Sequence, residues 1–278
     1  MKFEKTQVSN FEGAFRGMRN PLNSWDKSDS FFGFLDHNDV DSREEVVDTW
    51  VCKELDDKGI SVDNLEYNES YDVLSEKYTD WLLDNECLYY DINTLVSEVA
   101  ILGQKDMGLA QRLIKAGPEH MKFMRQIFVC VDITAPLYWW KEFDTYKIGT
   151  TANSTSTMHT LTSKPITMDC FEIGDYNGDY AIPDEVTDGM THPHEIIGYL
   201  EYLRQKYLET KDKGYWKELV RWLPEAWLQT RTVTLSYANL RTIYFQRRNH
   251  KLTEWSNDFC NWIKTLPYAE ELIMLEDK

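Results

Sequence analysis

The chain has 278 residues, 42% hydrophobic and 28% charged, a balance that supports a sizeable core and excludes disorder throughout. Its formal net charge of −17 repels duplex nucleic acid and anionic membranes at long range, leaving only local basic pockets for a small phosphate. No run reaches the ~20 apolar residues that span a bilayer, and the start, MKFEKTQVSNFEG, lacks the apolar run of a signal peptide. Cys52, Cys87, Cys130, Cys170 and Cys260 are scattered and form no CxxC pair, so the expected setting is reduced and cytoplasmic.

Residues 1–19 read as a short strand or turn and then a helix. Phe11, Phe15 and Met18 recur at helical spacing behind Asn10 as N-cap. The stretch RNPLNSWDKSDSFFGFLDHNDVDS is rich in Asn, Asp, Ser and Gly and reads as a loop. Its aromatics Trp25, Phe31, Phe32 and Phe34, with the cations Arg16, Arg19 and Lys27, suit a loop that packs down on the core or one that contacts a ligand. Residues 43–60 and 70–89 are expected as acidic amphipathic helices, with Val46, Val47, Trp50 and Val51 on one apolar face and Tyr71, Leu74, Tyr78 and Leu82 on the other.

Residues 93–116 read as helical with a break near Gly103, and KAGPEH ends that helix. The β-branched run in FMRQIFVCVDIT predicts a buried strand over 126–134. Between residues 150 and 163 hydroxyl side chains crowd beside a Gly and an Asn. They suit phosphate contacts, and equally turns and N-caps. After an acidic loop at 169–194, helices are expected at 195–210, at 215–229 with an interruption at Pro224, and at 238–250, the last running on through Trp255, Phe259 and Ile263. With no repeat and no flexible linker, the organisation expected is one α/β (α+β) domain with insertions over 1–278.

Dinucleotide fingerprints, a P-loop, HExxH and GxSxG are all absent from the sequence. His192 and His194 flank a proline, but no third ligand has suitable spacing, so no metal is assigned. One ordered set of short matches remains. Glu119 and His120 precede FMRQIFVCVDIT, and Asn153 and Ser156 lie in NSTSTMH. Arg221, Leu223, Pro224 and Thr230 then precede Asn239-Leu240-Arg241.

In that order and spacing the chain resembles the flavin-dependent thymidylate synthases. That family carries a Glu-His pair before a buried strand, then RHRxxSxNExSxRY, then ARxxLP, a Thr and NxR at the head of a long helix. The resemblance runs roughly from Ala110 to Ile263; it implies a central sheet with long helices, to which residues at about 20–100 are an extension. It implies a fold of that type, a homo-oligomer such as a tetramer, and transfer of a one-carbon unit from methylenetetrahydrofolate to dUMP, or a related pyrimidine nucleotide, by reduced FAD that NADPH regenerates. It assigns the cofactor to Asn239, Arg241, Lys147 and His120, and the substrate to Asn153, Ser154, Ser156 and Arg248. No side chain is needed as a covalent catalyst. The sites work through cations and amides that bind phosphate and hold two rings face to face. The signature is altered here: laid without gaps, RHR falls on Tyr146, Lys147 and Ile148, its Glu becomes Ser154 and its last Arg becomes Met158; a gapped alignment uses Lys141. A non-catalytic nucleotide-binding or interaction protein of the same fold is the alternative expectation.

Overall fold

A computed structural model of the protein describes residues 1–36, 40–57, 72–77, 79–80, 96–175 and 193–276. The fold is mixed α/β. Among the described residues, β1 (Lys2–Ser9), β4 (Phe128–Pro136), β6 (Leu228–Ser236) and β5 (Thr151–Ser154) form one sheet in the order β1-β4-β6-β5. A second sheet pairs β2 (Phe31–Asp36) antiparallel with β3 (Val96–Ile101), in register from Phe31 opposite Ile101 to Asp36 opposite Val96. The chain divides into two compact units: Met1–Phe3, Asp132–Ile148 and Ala152–Val233 make one, and Glu4–Val131, Gly149–Thr151 and Thr234–Lys278 make the other.

β4 is the strand expected at 126–134. Its residues alternate with period 2, and Val129, Val131, Ile133 and Ala135 are all fully buried. In the first unit it runs straight into α4 (Leu137–Phe143), with Pro136 as N-cap. The aromatic side chains Trp139, Trp140 and Phe143 of this helix pack on one another at centroid distances of 4.9–5.4 Å. After the short α5 (Thr157–Thr160), the long α6 (Pro193–Thr210) and α7 (Lys213–Arg221) close a cluster of Leu161, Ile166, Ile197, Leu200, Leu203 and Leu219. Glu201 and Arg204 of α6 tie the preceding loop down. The carboxylate accepts the Ile166 N–H at 2.7 Å and the guanidinium donates to the Thr162 carbonyl at 3.2 Å.

The second unit holds α1 (Phe11–Arg19), α2 (Val40–Asp57), α3 (Gln104–Lys115) and α8 (Tyr237–Arg247). Phe11 meets Tyr237 and Tyr268 edge-on at 5.6 and 5.9 Å. Val46, Val47, Val51 and Leu55 of α2 bury against Val99, Ile101 and Leu74. α8 is followed by the wide helical turn Glu254–Phe259, by α9 (Cys260–Lys264) and by the turn Ala269–Ile273. Asp106 on α3 is fully buried. It accepts from Arg19 Nε at 2.6 Å, Ser28 Oγ at 2.5 Å and Ser30 Oγ at 2.6 Å. The start of α3 is capped by Asp29, whose carboxylate accepts the Lys105 and Asp106 N–H groups at 2.8 and 3.0 Å. A Cβ on Gly103 would lie 2.3 Å from the Asp29 carbonyl oxygen, so only glycine fits there.

Four expectations are corrected. Residues 20–42 are not loop throughout, because Phe31–Asp36 is strand; Val96–Ile101, expected as helix, is the partner of that strand. The helix expected over 215–229 ends at Arg221, before Pro224, and Leu228 begins β6. Proline has no N–H and crowds the preceding turn. The alternation of Thr230, Thr232 and Thr234 with Val233 and Leu235 then favours a strand. Asn10 occupies the N-cap position with φ 69° but makes no side-chain cap; its amide donates to the Gln126 carbonyl at 2.8 Å. Tyr71, Tyr78, Leu82, Cys87 and His192 lie outside the described residues.

Two outcomes follow from these contacts. Asp106→Ala leaves the Arg19 guanidinium buried without its counter-charge, so urea unfolding is expected to show a loss of about 3–5 kcal/mol. Hydrogen bonds from Arg204 hold the Glu201 carboxyl at about 2, below its usual 4.5, with burial opposing them. A depressed carboxylate contributes stability above its unfolded value and loses it as pH falls through the folded one. Acid melts between pH 4.5 and 2 should therefore be shallower in Glu201→Gln than in the parent chain.

Candidate functional site

The residues singled out in the sequence fall into two groups, one in each unit. In the first unit, Lys147 is exposed beyond the turn that follows α4, and Asn153 and Ser154 are exposed on β5. Ser156 is half-buried and serves as the N-cap of α5. Its hydroxyl accepts the His159 N–H at 3.4 Å and lies 2.7 Å from His159 Nδ1. The segment is fixed to β6 by the Thr155 N–H and hydroxyl, which donate to the Thr230 carbonyl at 2.9 and 3.2 Å. The Thr230 hydroxyl itself pairs with that of Thr134 at 2.7 Å. Met158 is half-exposed beside this segment.

In the second unit, Asn239, Arg241 and Arg248 line α8 and its C-cap. Ser236 and Asn239 form a reciprocal capping box: Asn239 Oδ1 accepts from Ser236 Oγ at 2.7 Å and from its N–H at 3.3 Å, and the Asn239 N–H returns to Ser236 Oγ at 3.3 Å. Gly149 approaches this amide closely; a Cβ there would lie 3.0 Å from Asn239 Oδ1, and its φ of 73° suits glycine. Arg241 is 5% exposed. Its Nη1 donates to the carbonyls of Ile273 and Leu275 at 3.0 and 2.5 Å, and its guanidinium stacks on Phe245 at 4.7 Å. Arg248 stacks on the same ring at 4.7 Å and pairs with Glu276 at 2.7 Å. That carboxylate raises the proton affinity of the Arg248 guanidinium, mainly by hydrogen bonding.

His120 is exposed, and its N–H closes a turn on the Gly117 carbonyl at 2.9 Å. Glu119 is exposed beside Lys122 at 3.7 Å, and Arg221 pairs with Glu218. Arg19 belongs to the Asp106 knot, while Lys141 pairs with Glu225 at 2.6 Å. Among the described residues no three His, Cys, Asp or Glu side chains gather as a metal site.

Sequence reasoning passed over Gln229, Arg231 and Glu276. The first two sit on the inward-facing positions of β6, so the alternation pattern that marks the strand also marks them. Glu276 had no local signal, because its partner Arg248 lies a long way back in the chain.

No protein-family model matches the chain, and no curated protein matches its sequence. Among solved structures it is similar to the flavin-dependent thymidylate synthase ThyX from Helicobacter pylori complexed with FAD and dUMP. The TM-score is 0.45 at 16% identity, over 73% of this chain and 91% of that one. A second structure of that protein with FAD and dUMP gives a TM-score of 0.45 at 15% identity, over 71% of this chain and 90% of the other.

The position of Arg241 has a direct consequence. Replacing it by Ala removes two charge-assisted hydrogen bonds to the C-terminal carbonyls. A stability loss on the order of 1.5–3 kcal/mol is expected, with faster proteolysis after residue 273 as the local readout.

Proposed function

We propose that this protein is a pyrimidine-nucleotide-binding enzyme of the flavin-dependent thymidylate synthase type, methylating dUMP or a related nucleotide with methylenetetrahydrofolate. The observation that carries the reading is where the ordered motif matches fall. Glu119-His120 stands before β4, Asn153 to Ser156 lies on β5 and the turn after it, Leu223-Pro224 stands between α7 and β6, and Asn239-Leu240-Arg241 opens α8 directly after β6. Three of the four short matches thus sit at or beside a strand end, and the fourth lies in the first turns of α8.

The tasks of the residues differ. Asn153, Ser154 and Ser156 offer an amide and hydroxyls to a phosphate, and exposed Lys147 offers a point charge. Arg248, the C-cap of α8, is a cation with solvent access, at 37% side-chain exposure, and an anion competes there with Glu276. Bound FAD would supply the reducing electrons, with NADPH as their source. Lys147 and His120, each exposed in its own unit, are each a donor that suits an anionic group. Asn239 and Arg241 bear on such a cofactor through the helix head and C-terminal turn that they hold in place. Assembly into a homo-oligomer, such as a tetramer, belongs to the same proposal.

Turnover is expected to be slow. Ser154 and Met158 stand where the resembled signature has Glu and Arg, and losing a charged partner at a desolvated site costs a few kcal/mol. Each 1.4 kcal/mol is about tenfold in rate. Formation of dTMP from dUMP with FAD, NADPH and methylenetetrahydrofolate should be weak in the parent chain. It should rise at least about tenfold when Ser154→Glu and Met158→Arg are combined. No dTMP from either chain, together with no FAD retained on purification, would rule the reading out.

A further inference from the structure

Along β6 the inward-facing positions are 229, 231, 233 and 235. Val233 and Leu235 are 0% and 1% exposed, as a sheet core requires, yet the same row carries Gln229, 9% exposed, and Arg231. An amide and a guanidinium withdrawn from water must find partners, and a Val or Leu would pack at either position without that demand.

The partners form a directed chain within the first unit. Asp144 accepts from Arg231 Nη1 at 2.7 Å, and the guanidinium lies 4.3 Å over the Trp140 ring. With one edge held by the carboxylate and one face by the indole, Arg231 Nε donates to Gln229 Oε1 at 3.0 Å. A guanidinium has no acceptor, so the amide oxygen must face it, and Nε2 is turned the other way. Nε2 donates to the Thr155 carbonyl at 2.9 Å and to Thr157 Oγ1 at 3.2 Å. These two contacts bracket Ser156.

We infer that Gln229, oriented by Arg231, is a positioning residue that sets the Asn153–Ser156 segment to receive a nucleotide phosphate. The inference rests on the proposed function and adds to it the group that shapes the substrate segment from beneath. Polar residues at core-facing positions mark places where a local rule is broken for function. Here the side chains end on the one stretch of β5 and its turn that carries the candidate phosphate donors.

Gln229→Glu tests it, because a carboxylate still accepts from Arg231 but has no N–H for Thr155 or Thr157. Thr157→Val, which removes one partner and keeps the shape, is the milder companion should the first variant fail to fold. Calorimetry would compare dUMP with deoxyuridine, which lacks the phosphate. Gln229→Glu is expected to raise the Kd for dUMP at least about tenfold, and Thr157→Val about two- to fivefold, with deoxyuridine unchanged in both. Folded variants with unchanged dUMP affinity, or with equal losses for dUMP and deoxyuridine, overturn the role of Gln229 while the parent's binding of dUMP keeps the functional reading. A parent chain that binds no dUMP rejects that reading, and the role of Gln229 with it.

Discussion

A carboxylate in the core of the second unit dictates the path of much of the chain around it. Asp106 has no solvent, and an uncompensated charge in such a place costs several kcal/mol. The structure meets this by bringing the end of α1 and the turns after it to α3, so that Arg19, Ser28 and Ser30 all reach one side chain. Arg19 also donates to the carbonyls of Ser24 and Lys27 at 3.1 and 3.0 Å, which satisfies the turns while they hold the arginine. Ser30 Oγ in addition accepts the Gly103 N–H at 3.1 Å, immediately before α3. Arg19 supplies the countercharge, and the polar residues that follow it supply the hydroxyls and carbonyls that complete the hydrogen bonding of the pair.

Local periodicity carried part of the fold into plain view. β4 shows its alternation within nine residues, so it was legible from neighbours in sequence. β2 and β3 were not. Each becomes a strand through its partner, about 65 residues away, and Phe31 and Val99 find their burial only once paired and covered by α2. β6 was hidden differently. Gln229 and Arg231 interrupt the apolar row, and a residue row with polar members reads as a helix surface until Pro224 is given its full weight.

The candidate site divides along the same line. The short matches fall at or near element ends, where ligand groups and caps both gather. Their partners were not readable. Asn239, read from sequence as a ligand amide, also caps its helix, and Arg241, read as a ligand cation, also clamps the carbonyls of Ile273 and Leu275. Side chains that cap and side chains that bind are the same types doing the same chemistry, so sequence alone leaves them alike. The distinction comes from burial and from what lies within 3 Å.

β6 and α8 meet without a linker: Ser236 ends the strand and caps the helix, and Tyr237 is already its first residue. The rotational phase of the helix is thereby geared to the pleat of the strand. One residue inserted at this seam would turn every α8 side chain by about 100° about the helix axis. Arg241 would swing off its two carbonyls, and Phe245 would leave the space between two guanidinium groups. Length at that point is a coordinate of the fold in its own right.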